Sequence, residues 1–148
     1  MQQLNFPEYR FRFKNSENKR YIFDAIRKKF VVLQPEEWVR QHVVRFLILE
    51  KKYPRSLISV EREIAVNRIR KRYDVVVFHP DGSIAVIVEC KAPDISVTQE
   101  TFDQIARYNL AAQADYLMVT NGRNHYFCRM DYENERYIFL AALPGYRS

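Results

Sequence analysis

Two carboxylates and a lysine stand where strand geometry predicts that they meet. Asp74 precedes one apolar run, and Glu89 and Lys91 close the next one. Side chains two positions apart on a strand project from the same face, so Glu89 and Lys91 share a face. Asp81-Gly82 lies between the two runs and predicts a tight hairpin turn. Because a hairpin pairs the start of its first strand with the end of its second, we expect Asp74 beside Glu89 and Lys91.

This grouping suits a divalent cation. Charge within apolar strands is costly unless it is paired or bound to a metal. Asp74 and Glu89 outnumber Lys91, and Mg²⁺ or Mn²⁺ would accept their oxygens and keep several waters. A cation there makes water more acidic and neutralises charge on a phosphodiester. Lys91 would orient the attacking water and stabilise the transition state. The alternative is an ordinary set of ion pairs at the sheet margin.

A helix, three strands, a second helix and a further strand are predicted to position these groups. Apolar residues at helical spacing follow Pro35, and a second helix is predicted over 98–113. The order favours one α/β domain with a mixed central sheet flanked by helices and extra strands at both ends. The predicted parts are a strand-rich lead-in over 6–33, a core over about 35–121 and C-terminal strands over 124–141.

Composition limits the classes of function. The 148 residues fit a single domain, and the net charge of +6 fits a polyanionic partner. The two cysteines form no CxxC pair, and Cys90 is expected to pack in the core. The N-terminal segment lacks the apolar run of a signal peptide, and no stretch is long enough for a membrane span. We therefore expect a cytoplasmic protein with no membrane association.

The ordered motifs resemble those of a known nuclease group. Asp74 followed by Glu89-x-Lys91 resembles the PD-(D/E)xK nuclease superfamily. More narrowly, the sequence is similar, over roughly 30–130, to the N-terminal nuclease domain of type I restriction enzyme R subunits. The segments that carry this likeness are Pro35-Glu36-Glu37-Trp38-Val39-Arg40-Gln41, Val60-Glu61, Arg72-Tyr73-Asp74-Val75-Val76-Val77 and Val88-Glu89-Cys90-Lys91-Ala92-Pro93. Tyr73 stands where the superfamily's name has proline.

The resemblance implies a restriction-endonuclease-like core and a Mg²⁺-dependent DNA endonuclease. It implies that Asp74 and Glu89 ligate the metal and that Lys91 acts on the water. It also implies an acidic residue on the first helix. Glu36 shares a face with the apolar stripe, and Glu37 is the alternative; both equally suit the positive end of the helix dipole.

Further residues extend the predicted site. Related nucleases often carry a Gln-x-x-x-Tyr pair on the second helix, and Gln104 and Tyr108 match it on one helix face. The basic run of Arg68, Arg70, Lys71 and Arg72 leads directly to the carboxylates, so we expect it to grip DNA phosphates. A solvated hairpin is the alternative. Three other arginines are candidates for a basic rim, namely Arg40, Arg107 and Arg123.

Alternatives and partners follow from the same likeness. No Gly-Lys-Ser/Thr phosphate loop occurs, so an ATP-driven motor is expected to be separate, as are other restriction-modification subunits. The chain would be a stand-alone nuclease-like protein or an excised domain. One alternative is a non-cleaving nucleic-acid-binding or assembly module on the same fold. Another is a structure-specific, junction-resolvase-like nuclease, for which a homodimer is left open.

Overall fold

Two sheets and two helices make up the computed structural model, which describes residues 1–66 and 68–147. Hydrogen bonding joins the strands into a three-stranded and a six-stranded sheet. The elements in chain order are β1 (Phe13–Ser16), β2 (Lys19–Asp24), β3 (Lys29–Val32), α1 (Pro35–Leu49), β4 (Ile58–Val66), β5 (Ile69–Phe78), β6 (Ile84–Cys90), α2 (Gln99–Asn109), β7 (Tyr116–Thr120), β8 (His125–Asp131) and β9 (Arg136–Leu140).

The six-stranded sheet runs β4-β5-β6-β7-β8-β9. Strands β6 and β7 are parallel, and every other neighbouring pair is antiparallel. Parallel neighbours need a crossover, which α2 provides between β6 and β7. The predicted mixed central sheet and the predicted order of helix, three strands, helix and strand are therefore confirmed.

The two helices cover opposite faces of this sheet. On β5, Val75 and Val77 pack with α1, whereas Val76 packs with α2. All three side chains are fully buried, which explains why the strand reads as a continuous apolar run. Helix α1 contributes Val39 and Val43, which lie one helical turn apart on the same face, to the core that contains Val75 and Val77.

Local sequence sets where the helices begin. Pro35 occupies the first turn of α1, where its missing N–H leaves no bond unmade. The Thr98 side chain caps α2 by accepting a hydrogen bond from the Thr101 N–H at 3.1 Å. Among the described residues, no helix has both the length and the apolar character to cross a membrane.

The lead-in differs from the prediction of a single sheet. Strands β1, β2 and β3 form a sheet of their own, in that order. The alternation from Tyr9 to Phe13 predicted a strand there, but β1 begins only at Phe13. The reason is packing: the rings of Tyr9 and Phe11 lie against His42 of α1, at centroid distances of 5.9 and 5.0 Å. Aromatic burial on a helix has replaced strand pairing.

Gly122 lies in the turn between β7 and β8, next to the N-terminal segment. Its φ of +85° is one that L side chains rarely adopt. A Cβ built there would come within 2.9 Å of Leu4 and 3.1 Å of Val39. The turn therefore needs glycine for both its backbone and its close packing on α1.

We predict that Gly122→Ala is the more destabilising of two glycine substitutions. Gly82 has a similar φ of +91°, but its Cβ would meet open space. Gly122→Ala should therefore lower the free energy of unfolding by about 1–3 kcal/mol more than Gly82→Ala, because only the former overpacks side chains. Urea denaturation of both variants checks this. Equal destabilisation would show that the contacts of Gly122 with Leu4 and Val39 contribute nothing.

Candidate active site

The β5–β6 hairpin brings Asp74 beside the end of β6. The ladder pairs Val75 with Val88, which sets Asp74 across from Glu89. The Cys90 N–H donates a hydrogen bond to Asp74 Oδ2 at 2.7 Å, so a side chain accepts this backbone donor. The Cys90 side chain is buried, as expected, and burial raises its thiol pKa well above the ordinary value.

The pleat of the β4–β5 pair changes face at this point. Tyr73 packs with the α2 side of the sheet and Val75 with the α1 side, although residues two apart on a regular strand share a face. On β4, Glu61 stands opposite Asp74 and has a φ of +53°, a left-handed conformation that is rare and costly for glutamate. Because of this irregularity, the side chains of β5 do not alternate regularly between the two faces of the sheet here, and Asp74 points towards α1.

Arg40 of α1 receives the Asp74 carboxylate. Its Nη2 lies 2.9 Å from Asp74 Oδ1 and 3.3 Å from Glu61 Oε1, while its Nη1 lies 2.7 Å from Glu37 Oε1. Only 7% of the Arg40 side chain is exposed. The prediction that Arg40 belongs to a basic rim is therefore wrong, because the guanidinium is enclosed by carboxylates. Burial lowers its pKa, but Glu37 and Asp74 outweigh this and raise it overall.

Glu36 and Glu37, the two acidic candidates on α1, have different surroundings. Glu37 is buried and accepts bonds from Arg27 at 2.8 Å, from Arg40 at 2.7 Å and from Gln41 at 3.0 Å. The Glu36 side chain is 49% exposed and lies 3.7 Å from Arg40. Partial burial and the negative charge of Asp74 raise the pKa of Glu36. Of the two acids on α1, Glu36 is therefore the one whose pKa is raised by the charge of Asp74.

Glu89 lies between two lysines. Lys91 Nζ is 3.7 Å from Glu89 Oε1, and Lys71 Nζ is 3.9 Å from Oε2. Burial raises the pKa of Glu89, as does Asp74, and both lysines oppose the shift. Burial also lowers the pKa of Lys71, which Glu89 opposes. The lysines thus balance the negative charge of Glu89.

The predicted pair on α2 approaches the site through Lys71. The Lys71 ammonium lies 3.9 Å from the centroid of the Tyr108 ring, a cation–π contact. Tyr108 is 56% exposed, and Gln104 lies exposed one turn earlier on the helix. Tyr108 therefore borders the cluster, whereas Gln104 faces solvent.

The basic run divides between the site and the solvent. Lys71 turns inward to Glu89, with 21% of its side chain exposed. Arg70 and Arg72, its neighbours on β5, have side chains 77% and 65% exposed. Arg68 lies exposed in the turn that leads into β5. The strand period sends alternate residues to opposite sides, so one basic residue completes the cluster and the others stay exposed. Arg70 lies 3.4 Å from Glu63, and Arg72 lies 3.8 Å from Glu61.

The donor chemistry of the cluster fits a hard divalent cation. Besides burial, the negative charge of Asp74 raises the pKa of both Glu89 and Glu36, which means that the three carboxylates act on a shared region. Such oxygens are the ligands Mg²⁺ prefers, and Mg²⁺ needs only one or two carboxylates when it keeps its waters. Within the described ranges, no three or more His, Cys, Asp or Glu side chains group closely enough to form a ready-made metal cage. The fit is to a water-rich site.

Two residues important to this geometry were missed by sequence reasoning. The sequence makes Arg40 only a candidate for a basic rim and gives Glu61 no role. Arg40 follows Val39 and Glu61 follows Val60, so the neighbouring sequence does not distinguish either residue from an exposed charged residue. Their roles become visible only in the structure, where α1 packs beside β4 and β5 and Arg40 contacts Glu61 and Asp74.

The fold and cluster define a mixed α/β protein that gathers carboxylates and lysines at one end of its sheet. Residues 35–144 match the family model described as type I restriction enzyme R protein N terminus (HSDR_N). The match covers well over half of the sequence, so the chain belongs to this family. The relationship predicted from the motifs is confirmed; the wider PD-(D/E)xK superfamily stays a prediction.

A solved structure is similar as well. It is a fragment assigned as an HsdR subunit of a type I restriction enzyme from Vibrio vulnificus YJ016, with a TM-score of 0.51 and 20% sequence identity. The match covers 76% of this chain and 24% of that chain, so this chain spans about a quarter of its length. At this identity the likeness supports a shared fold. No curated protein matches the chain.

We predict that Glu37→Gln destabilises the protein and that Glu36→Gln does not. Removing the Glu37 charge leaves the buried Arg40 and the partly buried Arg27 with an incomplete set of partners, which should lower the free energy of unfolding by about 2–4 kcal/mol. Glu36 is half exposed, so its neutralisation should change stability by less than about 0.5 kcal/mol. Chemical denaturation of both variants provides the measurement. Equal effects would mean that the two acids share one environment.

Proposed function

We propose that the chain is a Mg²⁺- or Mn²⁺-dependent DNA endonuclease domain with a restriction-endonuclease-like PD-(D/E)xK core. The observation that carries the proposal is the convergence of Asp74, Glu89 and Lys91 at the end of one hairpin. A simple ion pair joins one acid and one base, whereas here a third carboxylate, Glu36, lies close enough for Asp74 and Glu89 to raise its pKa in addition to the effect of burial. Family membership points to the same chemistry.

Each side chain has a role in this proposal. Asp74 and Glu89 would hold the cation, whose charge and Lewis acidity assist hydrolysis of the phosphodiester. Lys91 would orient the attacking water and stabilise the negative charge of the transition state. Glu36 would complete the acidic rim on the α1 side.

The remaining basic residues would bind the substrate backbone. Lys71, steadied against Tyr108, would balance the charge of Glu89. The exposed Arg68, Arg70 and Arg72 would contact DNA phosphates beside the cluster. Gln104, exposed on α2, would reach the site or a phosphate only once DNA is bound.

Partners are proposed from the family. The chain would act with a separate motor or with other restriction-modification subunits, since the similar HsdR fragment is about three times as long. Sequence selection would then come from a partner, and this domain would supply the cutting chemistry. Cytoplasmic location accords with that role.

A second candidate is a nucleic-acid-binding or assembly module that does not cut on its own. The observation in its favour is the engagement of both Asp74 oxygens, one by Arg40 and the other by the Cys90 N–H. An acid already neutralised by a buried guanidinium attracts a cation less strongly. In that case cutting would require a partner that shifts Arg40.

We predict that purified protein nicks or linearises plasmid DNA with Mg²⁺ or Mn²⁺. Lys91→Ala should slow this by on the order of 10²–10³-fold, the usual effect of losing one preorganised transition-state contact. Asp74→Asn should have at least as large an effect, while Arg129→Gln, on the far side of the sheet, should cut normally. Agarose-gel kinetics with an EDTA blank provides the measurement.

Two results would count against the first candidate. Cleavage by Lys91→Ala at the wild-type rate would show that the site is wrongly placed. Absence of cleavage by wild type, together with salt-sensitive DNA binding, would favour the non-cleaving module.

A further inference from the structure

The positive charge of the molecule is concentrated before α1. Residues 1–33 hold eight lysines and arginines against three acidic residues, a surplus of five in a chain whose net charge is +6. The family match begins only at residue 35. The charge therefore belongs to the β1–β3 sheet and the segment leading to it, which none of the catalytic roles above uses.

The β1–β3 sheet has an inner and an outer face. Ile22 and Asp24 are buried, and Asp24 accepts a bond from Gln41 of α1 at 3.0 Å, so this face is the inner one. Strand alternation places the residues between them on the other side. Register aligns Lys14 with Tyr21 and Phe23 with Phe30 on that outer face.

Basic and aromatic side chains interleave across the outer face. The Arg12 guanidinium lies 4.7 Å from the centroid of the Phe23 ring. The Lys14 ammonium lies 4.8 Å from the Phe30 ring and 5.6 Å from the Tyr21 ring. Lys19 is exposed on the same face, two residues before Tyr21. Rings beneath the cations hold them in place without neutralising them, so their charge remains available to an anion.

The turn between β2 and β3 joins this sheet to the candidate site. Arg27, in that turn, contacts Glu37 at 2.8 Å and lies 3.8 Å from Glu61. Glu61 and Glu37 are also partners of Arg40, which holds Asp74. A chain of three ion pairs, from Arg27 to Glu37, from Glu37 to Arg40 and from Arg40 to Asp74, thus connects one end of the basic sheet to the candidate site.

We propose that the outer face of the β1–β3 sheet, formed by Arg12, Lys14, Lys19, Tyr21, Phe23 and Phe30, is a DNA-binding platform. Its cations contact the phosphate backbone of a strand that continues past the β2–β3 turn to the candidate site. Basic side chains held over aromatic rings on an open sheet face suit this ligand, because the cations can follow the phosphate backbone. The identity of the ligand as DNA rests on the proposed function.

The test compares two triple variants of the whole chain with equal loss of charge. One is Arg12→Gln/Lys14→Gln/Lys19→Gln. The control is Arg129→Gln/Arg136→Gln/Arg147→Gln, which places two of its three changes on β8 and β9, at the sheet edge remote from β4. Fluorescence anisotropy with a labelled DNA duplex or single strand, in EDTA and over a range of KCl, measures binding without cleavage. Thermal melting checks that both variants fold.

The platform variant should bind DNA on the order of tenfold more weakly. The slope of log affinity against log salt concentration should decrease in magnitude by about three, one for each lost phosphate contact. The control should bind like wild type. Unchanged affinity and salt slope in the platform variant, or equal weakening in the control, would overturn the proposal. The platform variant leaves Asp74, Glu89 and Lys91 unchanged and binding is measured in EDTA, so failure of cleavage and failure of the platform are separate outcomes.

Discussion

The buried guanidinium of Arg40 is the constraint on which the arrangement of the site depends. Charges withdrawn from water are tolerated only when partners surround them, and Arg40 takes Glu37 from its own helix, Asp74 from β5 and Glu61 from β4. Glu37 in turn holds Arg27, which is anchored by Asp24 of the N-terminal sheet. Helix α1, two strands and the lead-in are therefore fixed relative to one another by one connected set of charges, and removing any member would leave another uncompensated.

The local irregularities follow from this constraint. For Asp74 to reach Arg40, the β4–β5 pair must change face, and Glu61 takes a left-handed backbone where the change occurs. On the other side of the hairpin, Glu89 is left to Lys71 and Lys91. Along this end of the sheet, the surroundings therefore change from carboxylates paired with a buried arginine to a carboxylate paired with partly exposed lysines. Strain located beside unbalanced charge is characteristic of sites built for a ligand.

Sequence alone was informative where a pattern is local. The period of two along β5 and β6, with Asp81-Gly82 between them, predicted that Asp74 meets Glu89, and the order of elements followed from periodicity. It did not predict what depends on distant packing. The aromatic alternation near Tyr9 looked like a strand because nothing local reveals that the rings meet α1. Arg40 looked exposed for the same reason, and the choice between Glu36 and Glu37 required the position of Arg27, ten residues before Glu37.

The most direct test of the central claim is divalent-cation binding, measured by titration calorimetry with Mn²⁺ on wild type, Asp74→Asn and Glu89→Gln. Asp81→Asn, in the exposed turn at the opposite end of the same hairpin, is the matched control. The account predicts that wild type and the control bind Mn²⁺ alike and that each site variant loses the binding. Absence of Mn²⁺ binding by wild type, or undiminished binding by Asp74→Asn, would contradict it.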